Sequence, residues 1–359
     1  MTATRAPAPA PAMPEYTPLG GFRLMLALFV LIAHARPLFG EGWFFAIAPE
    51  QAGIVMFFVV SGFVMPSAWW SFYRRAPGRF LLNRFVRLFP PWLVVFAIVA
   101  VFAGGSPSLR DVVVNALMMG PFFNATWPPG TSPIWTVFVE FNFYFAFFVL
   151  FAVIAAGLKT PRAFVLFLLA CALCYAFVVV TGGAKRFYGA LQWAPYFGLG
   201  TALFTWRRQV LPPTIALGAV ALMIGLIVHQ YAGVYVQESN PWIAAAAVLA
   251  LIAILVRLTG PLSVGRWRAL DRKLGDFTYP LYLVHLPVLS ALQHYGVLER
   301  PYDIAVMFIA VAVGAAALHL AVERPLSRTR NKVRGARLHS EAEATVPAPA
   351  FAAQPAAQP

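Results

Sequence analysis

The chain has 359 residues, of which 60% are hydrophobic and 11% charged, and it carries a net charge of +14. A soluble domain is nearer half apolar and a quarter charged, so this composition excludes an ordinary water-bathed globule and indicates a chain solvated largely by lipid. The cationic excess sits in clusters between apolar runs, the layout of a positive-inside membrane protein, which argues against nucleic acid as a partner.

Residues 1–20 form an Ala/Pro-rich tail with no apolar core of its own, unlike a cleavable signal peptide. Ten runs of roughly 20 mostly apolar residues follow, the length that crosses a bilayer. They cover 22–40, 52–71, 86–104, 133–156, 162–181, 187–205, 212–230, 242–258, 277–297 and 302–322. This predicts an all-α, polytopic helical bundle of about ten spans. With both termini placed in the cytoplasm, 21 Lys and Arg fall on inside segments and five outside. The longest connection, about 105–132, holds an apolar stretch from Val112 to Phe123 that suits a short re-entrant or interfacial segment. A membrane domain is thus expected over 21–325, and a basic then Ala/Pro-rich disordered tail over 326–359.

Ionisable groups inside spans are costly and mark functional positions. In the first span Arg23 and His34 lie eleven residues apart, on one helix face and roughly 16 Å along the axis. The second span places Gly53, Phe57 and Ser61 on one face, a pattern that close helix packing explains. At the start of the third, Arg84 and Arg87 are one turn apart among aromatics, suited to lipid headgroups or to a phosphorylated ligand. The fourth carries Trp135, then Thr136, Glu140 and Tyr144 on one face, and its buried carboxylate requires a partner. Cys171 and Cys174 fall inside the fifth and read as buried helical positions, not a redox or metal pair. In the ninth, Thr278 suits an N-cap and Pro280 a first turn, and Asp276, Tyr279, Tyr282 and His285 make one polar stripe. His229, at a helix end, and His319, without polar companions in sequence, read as structural. No compact cluster has metal-ligand spacing, so no metal is expected.

Taken in order, these pieces resemble the acyltransferase-3 family of integral membrane O-acyltransferases over Gly21 to Pro325. The resemblance rests on the Arg23–His34 spacing, the Gly53-Ile-Val-Met-Phe-Phe-Val-Val-Ser-Gly-Phe-Val64 run, the Arg84–Pro90 patch, Trp135 through Glu140 to Tyr144, and Tyr279-Pro-Leu-Tyr-Leu-Val-His285. The family's opening usually carries an acid shortly before the arginine, whereas Gly20-Gly21-Phe22-Arg23 has none. Asn83-Arg84 stands where paired arginines are common.

The resemblance implies transfer of an acyl group, acetyl by expectation, from cytoplasmic acyl-CoA to a hydroxyl of a carbohydrate or glycolipid acceptor. The setting it implies is the plasma (inner) membrane. Acyl-CoA is a co-substrate, and no bound cofactor is implied. His34 would act as general base or take the acyl group in passing. Glu140 would orient or charge-stabilise that imidazole, and Arg23 would bind donor phosphate or steady the oxyanion. Arg84 and Arg87 would bind the CoA phosphates. Ser61, Trp135, Tyr144, Tyr282 and His285 are further substrate-binding candidates. Buried His and Glu also serve proton relays, so a proton-coupled transporter or flippase of a sugar-linked substrate is the alternative, although inverted repeats are not evident.

Overall fold

A computed structural model describes residues 17–40, 42–102, 108–117, 119, 135–154, 157–182, 187–234, 240–259, 267–298 and 303–334. Among them every regular element is helical. The main helices are α1 (Gly20–His34), α2 (Pro49–Ala68, extended by a π turn at Trp69–Tyr73), α3 (Pro77–Phe102), α4 (Trp135–Val149, extended by a π turn at Leu150–Ile154), α5 (Thr160–Thr181) and α6 (Ala194–Arg207). They continue with α7 (Pro213–Val234), α8 (Pro241–Leu258), α9 (Arg268–His294), α10 (Asp303–Leu318) and α11 (Arg324–Arg334). Each of the ten apolar runs overlaps one of α1 to α10. Among the described residues seven helices are long and apolar enough to cross a bilayer, and α1 is a shorter apolar one. This is a multi-pass, all-α membrane protein.

The hydrophobic effect does not sort helices against lipid, so close backbone approach has to hold them together. Glycine provides it at the central crossing. A side chain at Gly62 of α2 would overlap the main chain of Phe197 on α6, and one at Gly200 would overlap the Val59 carbonyl. Pro66 cannot donate to the Gly62 carbonyl one turn back. That carbonyl accepts instead from the Thr201 hydroxyl, at 3.0 Å. Helix α6 is buried from Ala194 to Thr205, so it forms the middle of the bundle. Against its neighbours α2 also packs α1, where Gly53 lets the Leu26 carbonyl come close. Large apolar side chains such as Ile98, Leu173, Val180 and Ile309 remain exposed on outer helices, as lipid contact allows.

Two expectations about element ends are corrected. Helix α9 starts at Arg268, so Thr278 is no N-cap and Pro280 no first-turn residue. The Thr278 hydroxyl donates back to the Leu274 carbonyl at 3.0 Å, and charged residues of 268–276 extend the helix beyond the apolar run. The last helix does not stop at Pro325, the boundary expected for the membrane domain. A π turn at His319–Glu323 shifts the hydrogen-bond register just before that proline, and α11 continues to Arg334. The Asn83 side-chain amide holds it to α3 by donating to the Arg330 carbonyl at 3.0 Å. Of the tails, 1–16 and 335–359 lie outside the described residues, as do 118 and 120–123 of the interfacial stretch; the start of that stretch belongs to a helix at Leu109–Ala116.

Candidate active site

Helix α1 runs between α2 and α9 and carries the site along its length. Its first turn has no side-chain cap of its own. The Asp271 carboxylate of α9 supplies one, accepting from the Gly20 and Gly21 main-chain N–H groups at 3.0 and 2.7 Å. A side chain at position 20 would overlap the Asp271 main chain. The acid absent from the segment before Arg23 is therefore matched in space by one from another helix.

Beside this turn opens a cavity of about 450 Å³. Arg23, Arg84, Arg87, Arg208, Arg272, Arg330 and Arg334 face it, against the two carboxylates of Asp271 and Asp276. Such a cation excess inside a concave site is suited to a polyanion. The Arg84 guanidinium lies over the Phe80 and Tyr144 rings at 5.5 and 5.3 Å, and that of Arg334 over Phe72 at 3.6 Å. Sequence reasoning found Arg23, Arg84 and Arg87 here and missed Arg208, Arg272, Arg330 and Arg334.

Arg23 also borders a throat of about 40 Å³, shared with Phe57, Thr136, Glu140, Tyr279 and Tyr282. Glu140 has the partners that its burial demands. Its Oε1 accepts from the Ser61 hydroxyl at 2.5 Å and from the Tyr144 hydroxyl. Across the throat the Tyr282 hydroxyl meets Thr136 Oγ1 at 2.8 Å, and Tyr279 donates to the Leu88 carbonyl at 2.7 Å. Trp135 stands aside from the throat, 5.3 Å from Trp193 between ring centroids.

Past Tyr282 two imidazoles lie together, His34 and His285, with ring centroids 5.3 Å apart. Each Nδ1 bonds a main-chain carbonyl: Val30 at 2.8 Å for His34 and Tyr282 at 2.7 Å for His285. A carbonyl only accepts, so both Nδ1 atoms carry the hydrogen and both Nε2 atoms of the neutral rings carry the lone pair. The carboxylate facing His34 is that of Glu50, 3.6 Å from Nε2, and not that of Glu140, which is held by Ser61 and Tyr144. That corrects the expected pairing. Glu50 was missed, although Pro49-Glu50 is a helix-start signal.

His229 and His319 are also partnered. His229 Nδ1 meets the Tyr175 hydroxyl at 2.8 Å, and His319, against expectation, faces Glu323 at 3.4 Å one turn along its own helix. Cys171 is buried and Cys174 half-buried on α5, both as free thiols. Among the described residues no three His, Cys, Asp or Glu gather as a metal site.

Residues 19–320 match the family model described as an acyltransferase domain. The chain is 28% identical over 314 residues to the exopolysaccharide production protein ExoZ of Rhizobium meliloti (strain 1021), covering 77% of this chain and 89% of that protein. It is 26% identical over 292 residues to BcsY of Komagataeibacter xylinus, whose name proposes a membrane-bound transacylase, covering 75% and 72%. A shorter stretch of 87 residues is 34% identical to protein 2 in the picA locus of Rhizobium radiobacter, covering 23% and 44%. No solved structure matches.

Proposed function

The chain belongs to the acyltransferase-3 family of membrane acyltransferases, and from that premise we propose that it moves an acyl group, acetyl in the simplest case, from acyl-CoA to a hydroxyl of an exopolysaccharide or its lipid-linked precursor. The observation that carries this reading is the arginine-lined cavity, with Arg23 lining both it and a small throat whose Tyr282 ring stands 5.5 Å from His285, the neighbour of His34. CoA carries phosphates at one end and the thioester at the end of a long flexible arm. Its phosphates suit the arginines, whose guanidinium forks pair with phosphate oxygens. The arm then threads past Arg23, Glu140 and Tyr282. The part played by ExoZ in exopolysaccharide production supports a carbohydrate acceptor.

In the reaction the acceptor oxygen attacks the thioester carbonyl, a C–O bond forms and the C–S bond breaks. The hydroxyl proton passes to His34 Nε2 and from there to the departing thiolate, leaving free CoA and the ester. Arg23 is placed to steady charge that develops near the throat. Glu140, held by Ser61 and Tyr144, acts as a fixed anion beside Arg23 instead of as the partner of the imidazole. By the distribution of Lys and Arg, the arginine cavity opens to the cytoplasm, where acyl-CoA resides; in this reading the membrane is the plasma (inner) membrane.

The test is transfer of label from radiolabelled acetyl-CoA into the carbohydrate fraction of membranes that contain the chain. Label with the native chain, and its loss in an Arg84→Ala/Arg87→Ala variant that is still present at native level, is the expected result. No chain-dependent label with acetyl-, propionyl- or succinyl-CoA would overturn the reading.

A further inference from the structure

Glu50 has no place in the scheme above, yet it is the anionic side chain that contacts His34 among the described residues. An acid in the first turn of a helix is by itself only a helix-dipole feature. What sets Glu50 apart is the imidazole nitrogen 3.6 Å from its Oε1. Because His34 Nδ1 is committed to the Val30 carbonyl, Nε2 is the atom that exchanges the proton, and it is the atom that Glu50 faces. His285, the other ring at this end, is wholly buried and carries no negative charge to pair with an imidazolium at His34. Arg36 also stands at this end, its guanidinium over the Phe45 ring at 5.3 Å, whereas Arg23 lies at the far end of α1.

Exposure gives the direction of access. The His34 side chain is 20% exposed and that of Glu50 40%. Neither lines the arginine cavity, and the eleven residues from Arg23 to His34 put roughly 16 Å between the two ends. At the Glu50 end the connection from α1 to α2 brings aromatic rings forward: Phe44 meets Phe29 edge-on at 5.3 Å, and Phe45 lies under Arg36. Aromatic rings, a carboxylate and a guanidinium are the groups with which proteins hold polyhydroxylated rings, through their C–H faces and their hydroxyls.

We propose that Glu50 is the charge partner of His34, and that the acceptor hydroxyl reaches His34 from the Glu50 side, opposite the arginine cavity. When Nε2 takes the hydroxyl proton the imidazolium forms an ion pair with Glu50; the proton then leaves with the CoA thiolate and the pair relaxes. This rests on the acyltransferase reading. Glu50 acts through His34, so it is a positioning residue.

The test uses the full chain in two arms. In the first, Glu50→Gln and Glu50→Asp are compared with native protein for acetyl-CoA binding and for transfer into the polysaccharide fraction that native protein labels. Turnover of Glu50→Gln at saturating donor should fall by about 10²-fold, with acetyl-CoA binding unchanged within about twofold and Glu50→Asp recovering most of the loss. In the second, single cysteines replace Glu50 or Arg84 in a Cys171→Ser/Cys174→Ser background, and intact cells are treated with a membrane-impermeant maleimide. Position 50 should react in intact cells and position 84 only after the cells are opened. Native-like transfer by Glu50→Gln, equal loss of donor binding and transfer, or labelling of position 50 only in opened cells would each overturn the proposal. Absence of transfer by the native chain would instead overturn the acyltransferase reading, while the labelling arm still reports the sidedness.

Discussion

Ser61 and Tyr144 both donate to one oxygen of Glu140, and their hydroxyls stand 3.4 Å from each other. A carboxylate in a membrane interior is tolerable only with such donors, and losing one leaves it partly unsatisfied at about 1–3 kcal/mol. Tyr144→Phe should therefore lower the thermal midpoint of the detergent-solubilised protein, and Ser61→Ala/Tyr144→Phe should lower it further. An unchanged midpoint in the double variant would show that Glu140 does not depend on these donors. Asp271 can be tested separately. Asp271→Asn removes the charge at the α1 N-terminus, a loss of about 0.3–2 kcal/mol by the same readout. At this scale the sequence showed which side chains are expensive to bury but not their partners. Glu140 and Tyr144 are a turn apart and could be paired on a helical wheel. The Glu50–His34 and Asp271–Gly20 contacts join different helices, and nothing in local spacing encodes them.

The crossing of α2 and α6 depends on two glycines that meet main chain, not flexible side chains. Gly62→Val should force the helices apart, costing about 1–3 kcal/mol or more and lowering the yield of folded protein after solubilisation. Gly218→Val, where open space surrounds the glycine, should leave the yield near native. If both behave alike, the close crossing is not what holds these helices. Helix α11 offers a functional counterpart. Arg330 bonds Asn83 through its main-chain carbonyl, so Arg330→Ala should leave the helix docked while removing one cation from the cavity. Acetyl-CoA binding should weaken about tenfold, the equivalent of 1.4 kcal/mol, and more steeply salt-dependent binding by native protein than by the variant should accompany the loss. Equal affinity would remove α11 from the donor site. The ten apolar runs were legible because each is long and strongly apolar. Helix α11 was not, because proline usually ends a helix and the π turn that carries the chain past Pro325 has no simple sequence signal.

Across the whole molecule, chemistry is arranged along one short helix. Arginines surround the end of α1 that begins at Gly20, a small throat lies beside its middle, and two histidines and Glu50 meet where it ends. Composition and charge placement identified a multi-pass membrane protein, and the order of the motifs identified the family. The gathering of the motifs along α1 depends on α9 and α2 packing on either side of it, which no periodicity in the chain reveals. Activation of the acceptor by His34, where α1 ends, is the step on which the proposed reaction depends. It is tested most directly by measuring, on the same purified preparations, acetyl-CoA binding and acyl transfer for native protein and His34→Ala. Transfer should fall by about 10²–10⁴-fold while acetyl-CoA binding stays within about twofold of native. Transfer by His34→Ala at close to the native rate would contradict it.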